Sequence, residues 1–308
     1  MEIGIEPTVD YAFKRVFGRE HNEHLLLALL NAILQHPEGR RLVSVEILNP
    51  FLPHDTADDK LAVLDVKARD QLGRLFNIEM QVRTHEFLRA RVLYYWARLY
   101  AEQLQAGDDY EGLQPTISVL ILDDVFSPEE TGAHRRFRLW DDECGTLFTD
   151  HLELHVLELP KFHKVLSELT NDLDRWLYFL CHAATLDLGA WPNQLADPTI
   201  HRAAEELSML SQTALEREHY ESRRKGQLDY RSELKAARRD GAAKGRVEGR
   251  TEGELIGQIR LLQALLQQPQ PARDELAAYS ETHLRTMLAE LIQQARQAGL
   301  PIGAPSAE

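Results

Sequence analysis

Residues 60–82, KLAVLDVKARDQLGRLFNIEMQV, hold the densest set of side chains whose types and spacing allow chemistry. Two alternating halves are joined by Gln71-Leu72-Gly73, and a three-residue connection ending in glycine predicts a type I turn closed by a left-handed residue. That turn pairs Asp70 with Arg74. Counting back along the ladder sets Lys67 opposite Asn77, Asp65 opposite Glu79 and Val63 opposite Gln81. Opposed residues share a face with Cβ atoms roughly 5 Å apart. Asp65, Lys67, Asn77, Glu79 and Gln81 therefore line one face, and Leu64, Val66, Ala68, Ile78, Met80 and Val82 line the apolar, core-facing one.

Two opposed carboxylates repel each other across a sheet, and a divalent cation between them reverses the sign of that interaction. Hard oxygen donors suit Mg2+, with Mn2+ as a substitute, and Mg2+ is usually held by one or two carboxylates plus substrate phosphate. Such an ion polarises a phosphoryl oxygen and lowers the pKa of bound water, the two requirements of phosphodiester hydrolysis. Lys67 would place an ammonium near the developing charge, and Gln81 would orient the water. The same pattern also describes a solvated polar face of an amphipathic hairpin. A one-residue slip in register would separate Asp65 from Glu79, so periodicity alone leaves both readings open.

The flanking elements must position these groups. An apolar helix is expected over residues 24–34, then a strand over 42–48, the two hairpin strands over 60–68 and 74–82, and a long helix over 86–104 closed by Gly107. Residues 116–122, TISVLIL, are nearly all apolar and β-branched, as in a strand buried on both faces. Short strands follow over 136–140 and 152–159, and from Pro160 onward only helical periodicity remains. The first half thus reads as α/β and the second as all-helical.

With 308 residues and 44% apolar content the chain forms one or two domains. Its two cysteines, Cys144 and Cys181, make no motif, which fits a reducing, cytoplasmic compartment and argues against a disulfide framework or structural zinc. The opening MEIGIEPTVDYAFK lacks the basic start and apolar run of a secretion signal, and no apolar run approaches about eighteen residues, so no membrane partner is expected. The net charge of −14 opposes broad, non-specific DNA binding, although a local basic patch can coexist with an acidic remainder.

LDVKARDQLGRLFNIEMQ resembles the central motif of the recombination-promoting nuclease family, also described as PD-(D/E)XK nuclease family transposases. PTVDYAFKRVFG is similar to that family's opening. VEILNPFLP and DDK resemble its approach to the hairpin, and RVLYYWARLYAEQLQAGDDYEGLQPTISVLIL its following helix and strand. The KGRVEGRTEGE tail resembles that of many members, so the likeness covers residues 7–125 strongly and 235–260 loosely. The resemblance implies a restriction-endonuclease-like α/β core with a mixed sheet over residues 1–160. A helical region over 161–235, a glycine-repeat helix or linker over 236–258 and a small helical unit over 259–308 would follow.

It also implies a Mg2+-dependent DNA endonuclease that promotes recombination, with Asp65 and Glu79 as metal ligands and DNA as partner. Gln81 stands where the wider superfamily carries a catalytic lysine, which leaves Lys67 as a candidate source of that charge. Asp10 and Lys14, one helical turn apart, match the opening motif and are candidate substrate contacts, or else a surface ion pair. Arg91 is a candidate phosphate contact, and Tyr94 and Tyr95 read mainly as packing. An interaction protein that keeps the fold without useful catalysis is the alternative, and phage defence is a compatible setting for either.

Three further patterns are weaker. Gly241, Gly245, Gly249, Gly253 and Gly257 recur every four residues, as in a helix packed closely on a partner or in a charged linker. A homodimer through the helical C-terminal region would bring two active sites to a duplex. His151 and His155 sit in a strand-like segment, which would hold them roughly 13 Å apart, too far to share a metal. The basic stretch Arg223-Arg224-Lys225, Arg231, Lys235, Arg238 and Arg239 reads either as a solvated helix face or as a DNA-backbone contact.

Overall fold

A computed structural model describes residues 2–51, 64–81 and 87–301. The chain divides into two compact units, Met1–Leu228 and Asp229–Glu308.

The first unit is built on a six-stranded mixed sheet in the order β1-β2-β3-β4-β6-β5. β1 (Val45–Leu48), β2 (Val66–Asp70) and β3 (Leu75–Gln81) form an antiparallel meander. β4 (Thr116–Leu122) runs parallel to β3, because the intervening α3 (Leu88–Ala101) returns the chain to the same end of the sheet. β6 (Leu147–Glu158) is parallel to β4, and β5 (His134–Trp140) pairs antiparallel on the outer edge. This is the mixed-sheet α/β core that the sequence implies, and helices alone follow it.

Helices cover both faces. α1 (Asp10–Phe17), α2 (Glu23–Leu34), α4 (Asp172–His182) and α5 (Pro198–Met209) bury Phe13, Phe17, Leu29, Trp176, Phe179 and Leu207 against Val66, Phe76, Ile78 and Val119. On the opposite face α3 packs Leu88 and Val92 on Leu120 and Val156, and Leu99 on Leu75. All seven residues of β4 are buried, as its unbroken apolar run requires.

Several boundaries differ from expectation. The strand expected from Leu42 begins at Val45, with Val43 exposed. The last two strands start earlier than expected, at His134 and Leu147, where none of the added residues is buried and so no apolar alternation marks them in the sequence. Residues 60–63, Val82 and the start of the helix expected from Glu86 lie outside the described residues. β2 starts only at Val66, and Leu64, expected on the core face with Val66, instead joins Leu75 and Leu99 beneath α3. Strict alternation holds only within the ladder, and Leu64 precedes it.

The second unit buries Leu255, Ile256, Ile259 and Leu262 of α6 (Ala214–Leu265) against Leu276 of α7 (Arg273–Ala277) and Leu284, Leu291 and Ala295 of α8 (Glu281–Gln297). Ser280 caps α8 by accepting the His283 N–H, as its position before the apolar periodicity predicts. The five repeating glycines lie inside α6, so this segment is helix rather than linker.

Candidate active site

The hairpin adopts the expected register. Gly73 takes φ 82° in the turn and donates its N–H to Asp70 O at 3.0 Å, while Asp70 N–H donates to Arg74 O at 3.1 Å. Lys67 stands opposite Asn77 and Val66 opposite Ile78. Asp65 lies one residue before the ladder, where its Oδ2 accepts the Met80 N–H at 2.9 Å. Lys14 Nζ, projecting from α1, lies 2.8 Å from Asp65 Oδ1.

The polar side of the hairpin is not a solvated face, because α3 covers it. Lys67, Asn77 and Glu79 are only 8%, 1% and 5% exposed. Glu79 Oε2 accepts a hydrogen bond from Gln81 Nε2 at 3.2 Å, and Gln81 Oε1 accepts one from Arg91 Nη2 at 2.6 Å. Glu79 Oε1 is buried without a hydrogen-bond partner among the described residues. Burial first, and then the neighbouring Asp65 charge, push the Glu79 carboxyl up to about 8 against the pull of Arg91. Burial also raises Asp65, with Asp10 adding to the shift and Lys14 opposing it. Two acids so placed cannot both ionise cheaply unless a cation joins them.

The donor set fits a hard divalent cation: buried carboxylate oxygens, one of them unpartnered, beside an open cleft. Among the described residues no group of three His, Cys, Asp or Glu side chains could hold a metal. A set of two carboxylates, completed from outside by water and phosphate, is how Mg2+ is commonly bound. The cleft, of about 750 Å³, is lined by Asp10, Asp65, Met80, Gln81 and Arg91, and by α6 residues between His219 and Gln227. Asp10 Oδ1 accepts the Tyr11 N–H at 2.8 Å.

The structure thus brings Asp65, Glu79, Gln81, Arg91, Asp10 and Lys14 to one place. It sends Lys67 elsewhere: its ammonium is bound by Glu102 at the end of α3, in a buried row with Asn77 and Ser118. The cation beside Gln81 is Arg91, reached across a helical crossover that hairpin periodicity does not encode. Tyr95 packs on the Leu64–Leu75–Leu99 cluster, and Tyr94 is 40% exposed. His151 and His155 go separate ways along β6. His151 Nδ1 meets the Tyr100 hydroxyl at 2.8 Å, while buried His155 joins Glu153 Oε1 at 2.6 Å and His134 Nε2 at 2.8 Å.

The α6 side of the cleft was only half visible in the sequence. Arg223 belongs to the basic stretch singled out there, but His219, Ser222, Gly226 and Gln227 carried no signal except their i, i+3, i+4, i+7, i+8 spacing. No helix among the described residues is long and apolar enough to cross a membrane. The family model described as PD-(D/E)XK nuclease family transposase matches residues 7–237, more than half of the chain. No curated protein and no solved structure matches it.

Proposed function

We propose that this chain, which belongs to the PD-(D/E)XK nuclease family transposases, is a Mg2+-dependent DNA endonuclease that cuts phosphodiester bonds to promote recombination. The observation that carries this reading is the neighbouring pair of Asp65, which lines the cleft, and buried Glu79, with one Glu79 oxygen unpartnered among the described residues. These two carboxylates would hold the ion, with Mn2+ able to replace Mg2+. When bound, the ion supplies Lewis-acid polarisation of a phosphoryl oxygen.

The remaining roles belong to the chain. Lys14 holds the Asp65 carboxylate at 2.8 Å and offsets part of its charge. The Gln81 amide is fixed at both ends, by Glu79 and by Arg91, and is oriented to hydrogen-bond the attacking water. Arg91 sets a guanidinium at the cleft for the phosphate, the position of positive charge that Lys67 would otherwise have to supply. Hydrolysis forms a bond from the water oxygen to phosphorus and breaks the bond from phosphorus to the 3′ oxygen. That oxygen takes up a proton, leaving a 3′-hydroxyl and a 5′-phosphate. A dimer through the helical C-terminal region would present two such sites, one for each strand of a duplex.

Plasmid nicking and linearisation by the wild type and Asp65→Ala, with Mg2+, Mn2+, Ca2+ or EDTA, tests the reading. Cleavage with Mg2+ or Mn2+ that disappears in EDTA and in the variant is the expected result. Absence of cleavage by the wild type under every condition overturns it in favour of a nuclease-fold interaction protein.

A further inference from the structure

We propose that the first turns of α6, residues 219–227, are the second wall of the active-site cleft and bind the DNA backbone there, with Arg223 and His219 as phosphate contacts. The inference rests on the nuclease reading for the identity of the ligand. It gives the beginning of the helical half a direct part in substrate binding.

The first support is periodicity. His219, Ser222, Arg223, Gly226 and Gln227 all line the cleft that contains Asp10, Asp65, Gln81 and Arg91. Their spacing places them on one stripe of a single helix. Every member is polar or glycine, so the stripe buries no apolar side chain. A helix docked only for stability would turn leucines or valines inward at these positions; this one turns hydrogen-bond donors towards a carboxylate-walled space.

The second support is that the helix is fixed in this position by residues beside the stripe. Glu216 accepts from the Tyr11 hydroxyl, takes Arg15 Nε at 3.0 Å, and also pairs with Arg19. Tyr220 is 1% exposed, and its hydroxyl accepts the Glu6 N–H at 2.9 Å. Arg224 donates to Glu6 Oε1 through both Nε and Nη2. The anchors at 216, 220 and 224 recur every fourth residue on the adjoining face. Anchoring therefore falls mainly to one row of the helix; on the neighbouring row Gln227 donates to Thr8 O at 3.5 Å, which leaves His219, Ser222 and Arg223 for a ligand.

The third support is how loosely the rest of the chain engages the stripe. Arg223 is 67% exposed, and its closest acidic neighbour is Asp10 at 3.8 Å. The His219 ring lies against Tyr11, with centroids 5.6 Å apart. Gly226 has open space around the position a Cβ would take. With Arg91 of α3 also lining the cleft, two guanidinium groups from different helices share it with the carboxylates, an arrangement suited to a phosphodiester. It also supplies local positive charge on a chain whose net charge is −14.

The test is fluorescence-anisotropy titration of a labelled duplex with full-length protein in Ca2+, over a series of salt concentrations, alongside cleavage assays in Mg2+. Arg223→Ala and His219→Gln should weaken duplex binding several-fold without lowering the melting temperature. Arg223→Ala should also reduce the slope of log K against log salt by about 1, the signature of one lost phosphate contact. Gly226→Phe, which fills the open space on the stripe, should block binding while the protein stays folded. Arg246→Ala, on the same helix outside the stripe, serves as control and should bind like the wild type. Unchanged affinity and salt slope in Arg223→Ala and His219→Gln, with a wild type that binds and cleaves, overturn this inference and leave the nuclease reading intact. A wild type that neither binds nor cleaves overturns both.

Discussion

Glu158 and Glu79 are buried carboxylates that register places on the same, α3-facing side of the sheet, yet the protein treats them in opposite ways. Glu158 Oε1 accepts the N–H groups of Phe126 and Ser127 at 2.6 and 3.1 Å, and Oε2 takes Lys161 at 2.9 Å and Arg135 at 3.2 Å. Burial opposes its ionisation, but Lys161 and the two amides hold the carboxyl below its usual range. Glu79 has the Gln81 side-chain amide and the Asp65 backbone amide as donors, no cation bound to it directly, a raised carboxyl neighbour and an oxygen without a partner among the described residues. The first carboxylate is neutralised by its own chain and serves the fold. The second is left in deficit, which the proposed cation would offset.

The largest effect should come from removing that deficit. Glu79→Gln and Asp65→Asn should each lower single-turnover cleavage by on the order of a thousandfold or more, the several kcal/mol that a positioned metal contributes. Glu79→Gln should not lower the melting temperature in EDTA, because it relieves a repulsion, whereas Asp65→Asn also gives up the ion pair with Lys14. A Glu79→Gln protein that cleaves like the wild type would place Glu79 in the same structural class as Glu158. The converse substitution is next in size. Glu158→Ala strands Arg135 and Lys161 beside a buried void and should cost about 3–5 kcal/mol of stability in chemical denaturation. Cleavage by the fraction that remains folded should be unaffected.

The two carboxylates also predict opposite pH dependences in EDTA. Glu79 ionises near 4.5 when unfolded and at about 8 when folded, so between those values the folded state binds more protons. Its contribution therefore makes stability fall as pH rises through that window, and Asp65 acts in the same direction. Glu158, held low, contributes stability that is present above the ordinary carboxyl range and lost as pH falls through its folded value. Melting curves from about pH 2 to pH 9 should show both flanks. Glu79→Gln should flatten the alkaline one alone, and Mg2+ should raise that same flank in the wild type. An alkaline flank unchanged in Glu79→Gln would remove the contrast.

What could be read from the sequence follows the range of the forces involved. The hairpin register is set by a turn of three residues and a period of two, both local, so the pairings of Lys67 with Asn77 and Val66 with Ile78 were legible before any coordinates. The run at 116–122 was equally plain, because a strand covered on both faces has no polar residue to hide it. The reassignment of Lys67 to Glu102, thirty-five residues away, was not legible, since it depends on how α3 lies across the sheet. The same holds for Arg91 on Gln81 and for the α6 stripe, which reaches the cleft from more than 130 residues beyond the hairpin. Local patterns found the carboxylates; tertiary packing chose their cations.

The smallest predicted effect applies the same contrast, between groups satisfied by their neighbours and groups left open, to α6 itself. Near its start, Tyr220 is buried and Glu216 and Arg224 are ion-paired, whereas Gly241, Gly245 and Gly249 are exposed, with open space where a Cβ would sit. With no neighbour to clash, Gly245→Ala should strengthen the helix by about 1 kcal/mol through backbone entropy alone. Slower amide exchange around residue 245, with unchanged cleavage, is the expected result. A loss of stability or self-association in Gly245→Ala would instead show that the glycine stripe is covered in solution by a second backbone too close to admit a methyl group. That outcome would move α6's exposed segment into the satisfied class and identify it as the dimer contact.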